Sequence, residues 1–173
     1  GDALPLIDPW AVHHAREFVR ERLGTRTLTK LEDIVNENQT PGDYSPNTQD
    51  AGRRSLKNTA LYYMVATANK HAILLVRDQF LVANNLTDKL AALRLLSGSN
   101  SPVKTDLNRE TLESWINEPL LLNKWFTIQA TAPCLPGEIP VVNRVRDLVK
   151  SGLFNMKNPN NVCALLSAFF HSN

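Results

Sequence analysis

The chain has 173 residues, 43% of them hydrophobic and 21% charged, with a formal net charge of +2. A chain this long buries roughly 70% of its unfolded surface as one domain or part of a larger one, so the composition excludes a disordered polymer. The near-neutral charge favours neither nucleic acid nor an anionic membrane, and no apolar run approaches the roughly 20 residues a membrane span needs.

Asp8 can N-cap a first helix, with Pro9 in its first turn and Val12, Ala15, Val19 and Leu23 at helical spacing. Gly24 is expected to stop it. Leu28, Leu31 and Val35 mark a second helix, with Thr29 and Glu32 in capping-box register. The polar stretch 36–47 contains Pro41, Gly42 and Pro46 and reads as a loop. A third helix runs from about Thr48 to Thr67, with Leu56, Ala60 and Tyr63 on one face. Asn69 can cap a fourth carrying Ile73, Val76 and Phe80, interrupted at Asn84-Asn85. Thr87 opens a fifth with Leu90, Ala91 and Leu95, ended by Gly98.

A sixth helix is predicted over about Arg109 to Glu118, with Leu112, Trp115 and Ile116. Pro119 starts a seventh bearing Leu122, Trp125, Phe126 and Gln129. A stiff link with Pro133, Pro136, Gly137 and Pro140 leads to an eighth with Val142, Val145 and Val149, closed by Gly152. Asn158-Pro159 opens a ninth with Val162, Leu165, Leu166 and Phe169. Strand patterns are nearly absent. Amphipathic helices this short must bury their stripes against neighbours, and short links favour antiparallel partners. The expected fold is all-α, an irregular α-solenoid of short antiparallel helix pairs resembling a HEAT or armadillo superhelix, forming a single helical-repeat domain over 1–173. Gly1-Asp2-Ala3 has neither an initiator Met nor a leader pattern, and His171-Ser172-Asn173 follows closely on an apolar run. Both ends read as cuts within a longer protein.

Chemistry is scarce. None of His13, His14, His71 and His171 is followed by Glu or has a His at i+4, so H-E-x-x-H is missing. Adjacent His13 and His14 diverge by about 100° on a helix and read as a solvated pair. No phosphate loop and no G-x-S-x-G elbow occurs, and Ser97-Gly98-Ser99 has no base nearby. Glu32-Asp33 reads as surface charge, and Arg53, Arg54 and Lys57 read as a solvated basic face. Trp115, Trp125 and Phe126 read as core anchors. Cys134 and Cys163 are too few for a disulfide framework and point to a reducing, cytoplasmic compartment, in which the sequons at Asn38 and Asn85 have no use.

Four strings occur together and in order: Gly52-Arg53-Arg54-Ser55-Leu56-Lys57-Asn58, Asn84-Asn85-Leu86-Thr87-Asp88-Lys89-Leu90-Ala91-Ala92-Leu93, Asn123-Lys124-Trp125-Phe126-Thr127-Ile128-Gln129-Ala130, and Asn158-Pro159-Asn160-Asn161-Val162. In combination and spacing they resemble the C-terminal helical domain of the aminopeptidase N family, the bacterial-type alanyl aminopeptidases. The resemblance covers almost the whole chain. It implies a parent zinc metallopeptidase that removes N-terminal residues from peptides, with zinc, its ligands and the glutamate base in an upstream catalytic domain of the same polypeptide. This stretch would then wall and close the substrate chamber, excluding water and controlling access, and would be inactive alone. The family pattern carries arginines after N-P-N where this chain has Asn161 and Cys163. Those two positions are therefore expected to line the chamber and to alter peptide preference. The alternative is a stand-alone helical-repeat module binding a protein partner. Neither case involves nucleic acid or a membrane.

Overall fold

The computed structural model describes residues 8–172. Every regular element among them is helical. They are α1 (Pro9–Arg26), α2 (Leu28–Glu37), α3 (Thr48–Ala66), α4 (Lys70–Val82), α5 (Leu86–Ser97), α6 (Lys104–Trp115), α7 (Pro119–Thr131), α8 (Val141–Lys150), α9 (Pro159–Val162), a π-helical turn (Cys163–Ser167) and α10 (Ala168–Ser172). The chain divides between Leu75 and Val76 into two compact units, each described by itself below.

In the first unit, α3 packs on both α1 and α2. Asp8 caps α1 as its sequence requires, its Oδ1 accepting the Trp10 N–H at 2.9 Å. Gly24 does not end the helix. A Cβ there would lie 2.4 Å from the Tyr63 carbonyl oxygen, so the missing side chain lets α1 cross α3 at backbone contact. The turn comes at Thr27 instead, whose N–H and hydroxyl both donate to the Leu23 carbonyl, at 3.0 and 2.7 Å. One residue therefore separates α1 from α2, and the Thr29–Glu32 capping box has no helix start to cap.

On α3 the covered face is turned from the predicted one. Leu56 is exposed, whereas Arg54, Lys57, Ala60, Leu61 and Met64 are buried. Arg54 and Lys57 are each only 4% exposed, which overturns their reading as a solvated face; Arg53 alone of the three is exposed. The Arg54 guanidinium lies 5.0 Å from the centre of the Tyr44 ring, a cation–π contact that lets a charged residue sit inside. Between α3 and α4, Ala68 adopts φ +54°, the left-handed region that L residues rarely enter. Asn69 then caps α4, accepting the His71 N–H at 2.8 Å. Ala72, Val76 and Phe80 form the buried ridge of α4.

The second unit is organised on α7, which packs against α5, α6, α8, α9, the π turn and α10. Six of its 13 residues are buried: Leu122, Trp125, Phe126, Ile128, Gln129 and Ala130. Trp115 and Trp125 are core anchors as expected. α5 starts at its Asn85 cap and ends at Gly98, but its covered residues are Asp88, Ala92, Leu93, Leu96 and Ser97, one position beyond the predicted stripe. α6 starts at Lys104 and not near Arg109, because its ridge is Leu107, Thr111 and Trp115. Thr111 hides in that ridge by donating its hydroxyl to the Leu107 carbonyl at 2.6 Å. The final helix is widened by the π turn, which no sequence pattern announced. Leu165 in that turn is fully buried, Leu166 and Phe169 are half-covered, and Phe170 is exposed.

Candidate functional site

The two positions singled out by the broken N-P-N pattern sit where the last helix begins. Asn158 caps α9 by accepting the Asn160 N–H at 3.0 Å. Upstream, Asn155 accepts the Lys157 N–H at 2.9 Å, so asparagine side chains hold the turn between α8 and α9 through successive backbone bonds. Asn161 is 6% exposed. Its Oδ1 accepts the Asn155 N–H at 3.1 Å and its Nδ2 donates to Asn123 Oδ1 on α7 at 2.7 Å. That side chain is thus spent on fixing the turn and tying α9 to α7. Cys163, two residues on, is exposed with a free thiol. The pair lies on different faces: Asn161 points to the core helix and Cys163 to the surface.

Among the described residues, no group of three or more His, Cys, Asp or Glu could hold a metal ion. His13 and His14 are both exposed, with ring centres 6.0 Å apart. Ser97 is buried and donates its hydroxyl to Asn108 Oδ1 at 3.2 Å, and Ser99 donates to the Leu96 carbonyl at 2.9 Å, so both hydroxyls serve the fold. The sequon asparagines are equally committed. Asn38 donates to the Ile34 carbonyl at 2.8 Å, and Asn85 accepts the Asp88 N–H at 2.9 Å. No described helix is long and apolar enough to cross a membrane.

Sequence reasoning missed two polar links. The first centres on Asn108 of α6, whose Oδ1 accepts from Ser97 and from Gln129 Nε2 at 2.7 Å, while its carbonyl accepts the Trp125 indole N–H at 3.2 Å. An Asn inside a helix is unfavourable by propensity, and that misfit was the available signal. The second lies in the proline-rich link. Lys104 on α6 pairs with Glu138 at 2.7 Å, and Glu138 also accepts the Leu135 N–H at 3.1 Å. Partial burial pushes the Glu138 carboxyl up, but its bonds from Lys104 and Leu135 outweigh this and hold it below the ordinary carboxylate range. Nearby, Arg144 donates to the Ala132 carbonyl at 2.6 Å, and its burial lowers the guanidinium below its usual value. Cys134 is exposed, its sulfur 3.4 Å from the Ile139 carbonyl.

The fold and these links can be set beside known proteins. A family described as "Domain of unknown function (DUF3458_C) ARM repeats" matches residues 1–173. The chain belongs to this family. Aminopeptidase N of Escherichia coli (strain K12) is 34% identical over all 173 residues, and aminopeptidase N of Caulobacter vibrioides is 29% identical over 166 residues. The chain spans 19% of the length of each. The crystal structure of Legionella pneumophila aminopeptidase A in complex with aspartic acid superposes with a TM-score of 0.82 at 27% identity, over 96% of this chain and 21% of that one. The all-helical repeat fold and the likeness to a C-terminal domain of aminopeptidase N, both expected from the sequence, are thereby established.

Proposed function

We propose that this ARM-repeat domain serves a zinc-dependent aminopeptidase that removes N-terminal residues from peptides, and that it forms part of the wall of the substrate chamber. Zinc, when bound in the catalytic domain of that longer polypeptide, supplies a polarised water for attack on the peptide carbonyl. The residues of this domain take no part in that step. They exclude water and limit which peptides arrive. The observation that carries this reading is the match of the whole chain to 19% of aminopeptidase N, a stretch whose polar side chains here are committed to helix caps and interhelical bonds.

Within the wall, Cys163 is the position that presents its side chain to peptide, and Asn161 holds that segment on α7. A neutral, compact thiol where the family pattern has a guanidinium weakens the grip on acidic or carboxylate-bearing parts of the substrate. The two free thiols fit a reducing, cytoplasmic setting. The purified 173-residue chain with added zinc is expected to leave aminoacyl-amide substrates intact, while the longer polypeptide cleaves them and loses activity to a chelator. Zinc-dependent turnover by the 173-residue chain itself would refute the assignment.

A further inference from the structure

Cys163 stands at a break in the helical ladder. Its N–H is shared between the Pro159 and Asn160 carbonyls, while its own carbonyl accepts the Ala168 N–H across the π turn. α9 is only four residues long, too short to hold its place by backbone bonds of its own. The direction of the exposed thiol therefore depends on how the residues on either side of it are pinned. Leu165 is pinned by full burial. Asn161 is pinned by its amide. Its Oδ1 accepts the Asn155 N–H, but Asn155 belongs to the same turn and moves with it. Its Nδ2 donates at 2.7 Å to Asn123 Oδ1, 38 positions earlier in the chain. Asn123 sits on α7, the core helix of this unit, and its main-chain carbonyl also accepts the Thr127 hydroxyl at 3.1 Å. The bond from Asn161 to Asn123 is thus what ties the turn to the rigid part of the fold.

We propose that Asn123 is a positioning residue for peptide selection: acting through Asn161, it fixes where Cys163 stands in the chamber wall. The proposal rests on the reading of Cys163 as a wall residue of a longer aminopeptidase. The chemistry of the pair decides what position 123 must carry. The Asn161 side chain is buried, so its Nδ2 needs an acceptor, and removing that acceptor strands a donor away from water. A carboxylate at 123 still accepts, in a charge-assisted bond, whereas a methyl group cannot. Once the bond is lost, the short α9 and the thiol beyond it lose their fixed distance from α7. A displacement of this kind at a substrate-positioning surface acts on binding geometry without touching the reacting groups. Peptides long enough to run along the wall feel it. An aminoacyl amide, which ends at the bond to be cut, does not extend that far.

The test uses the longer polypeptide and two readouts. One is the rate at which iodoacetamide alkylates Cys163, followed by mass spectrometry of the segment that carries it. The other is the KM of a tetrapeptide divided by the KM of an aminoacyl amide. Asn123→Ala is expected to change the alkylation rate about threefold or more and to raise the KM ratio by a similar factor. Asn123→Asp is expected to keep both within about twofold of the unsubstituted protein. A residue that only stabilised the fold would lower the melting temperature and leave the KM ratio where it was. If Asn123→Ala does not fold, Asn123→Ser, whose hydroxyl is too short to reach the Asn161 amide, is read in the same way. An unchanged alkylation rate in a folded variant overturns the positioning role, as does an Asn123→Asp protein that behaves like Asn123→Ala. A changed rate with an unmoved KM ratio shows that Asn123 places Cys163 but that Cys163 does not meet peptide, which removes the wall reading on which the proposal rests.

Discussion

α1 and α7 both carry apolar residues at helical spacing, yet the structure treats them oppositely. α7 is the shorter at 13 residues, and neighbours cover it so fully that six of them are buried. α1 has 18 residues and touches its unit chiefly through Gly24 and the half-buried Glu17 and Arg20. An apolar stripe shows which face a helix needs to bury, not whether its own unit supplies the cover. In α7 the need is met locally by six partners, α9 included. In α1 the unit leaves Trp10, Val12, Phe18, Val19 and Leu23 exposed.

The contrast can be pressed by substitution. The largest effect is expected at the centre of α7. Phe126 is fully buried and stacks edge-on with Phe154 at 6.1 Å, so Phe126→Ala should cost about 3–5 kcal/mol in urea unfolding. Phe18→Ala on exposed α1 should change stability of the 173-residue chain by under about 0.5 kcal/mol. Equal costs at the two sites would erase the distinction between them.

Next comes the one point where α1 is held tightly. Gly24→Ala gains roughly 1 kcal/mol of helix propensity but drives a methyl group into the Tyr63 carbonyl, a backbone atom that cannot swing away. The net expectation is a loss of about 1–3 kcal/mol by thermal melting, typical of overpacking. A stabilised variant would mean that α1 and α3 do not cross at backbone contact.

The smallest effect is a pH dependence in the second unit. The Glu138 carboxyl is held below its ordinary range, so its contribution is present above the unfolded-state value and fades as pH falls through the lower folded one. Acid unfolding below about pH 4.5 should therefore include a component that Lys104→Met removes. An acid limb unchanged by that substitution would show that the ion pair, partly open to solvent, is without thermodynamic effect.

Much of this was legible in the chain itself. The caps at Asp8, Asn69 and Asn158, the breaks at Pro119 and Gly98, and the tryptophan anchors all follow from local chemistry, which short-range sequence encodes, whereas α5 is capped by Asn85 and does not open at Thr87. What escaped were facts set by distant partners. Gly24 read as a helix stop because its role depends on a carbonyl 39 positions away. Arg54 and Lys57 read as surface because charge predicts exposure until a structure covers it. The stripes of α3 and α5 were rotated because small and polar residues such as Ala92, Ser97 and Asp88 occupy the covered face. At the candidate site, the broken pattern drew attention to Asn161 and Cys163, but only coordinates separate the inward amide from the outward thiol.

The most direct measurement is the specificity of the longer aminopeptidase after Cys163→Arg, which places a guanidinium on the exposed face while leaving the Asn161 bonds alone. If this domain shapes access and not chemistry, KM should fall for peptides bearing acidic residues beyond the first, while kcat for a single aminoacyl amide and the bound zinc content stay unchanged. A uniform loss of kcat across all substrates, or identical peptide selectivity in both proteins, would contradict a wall at this position.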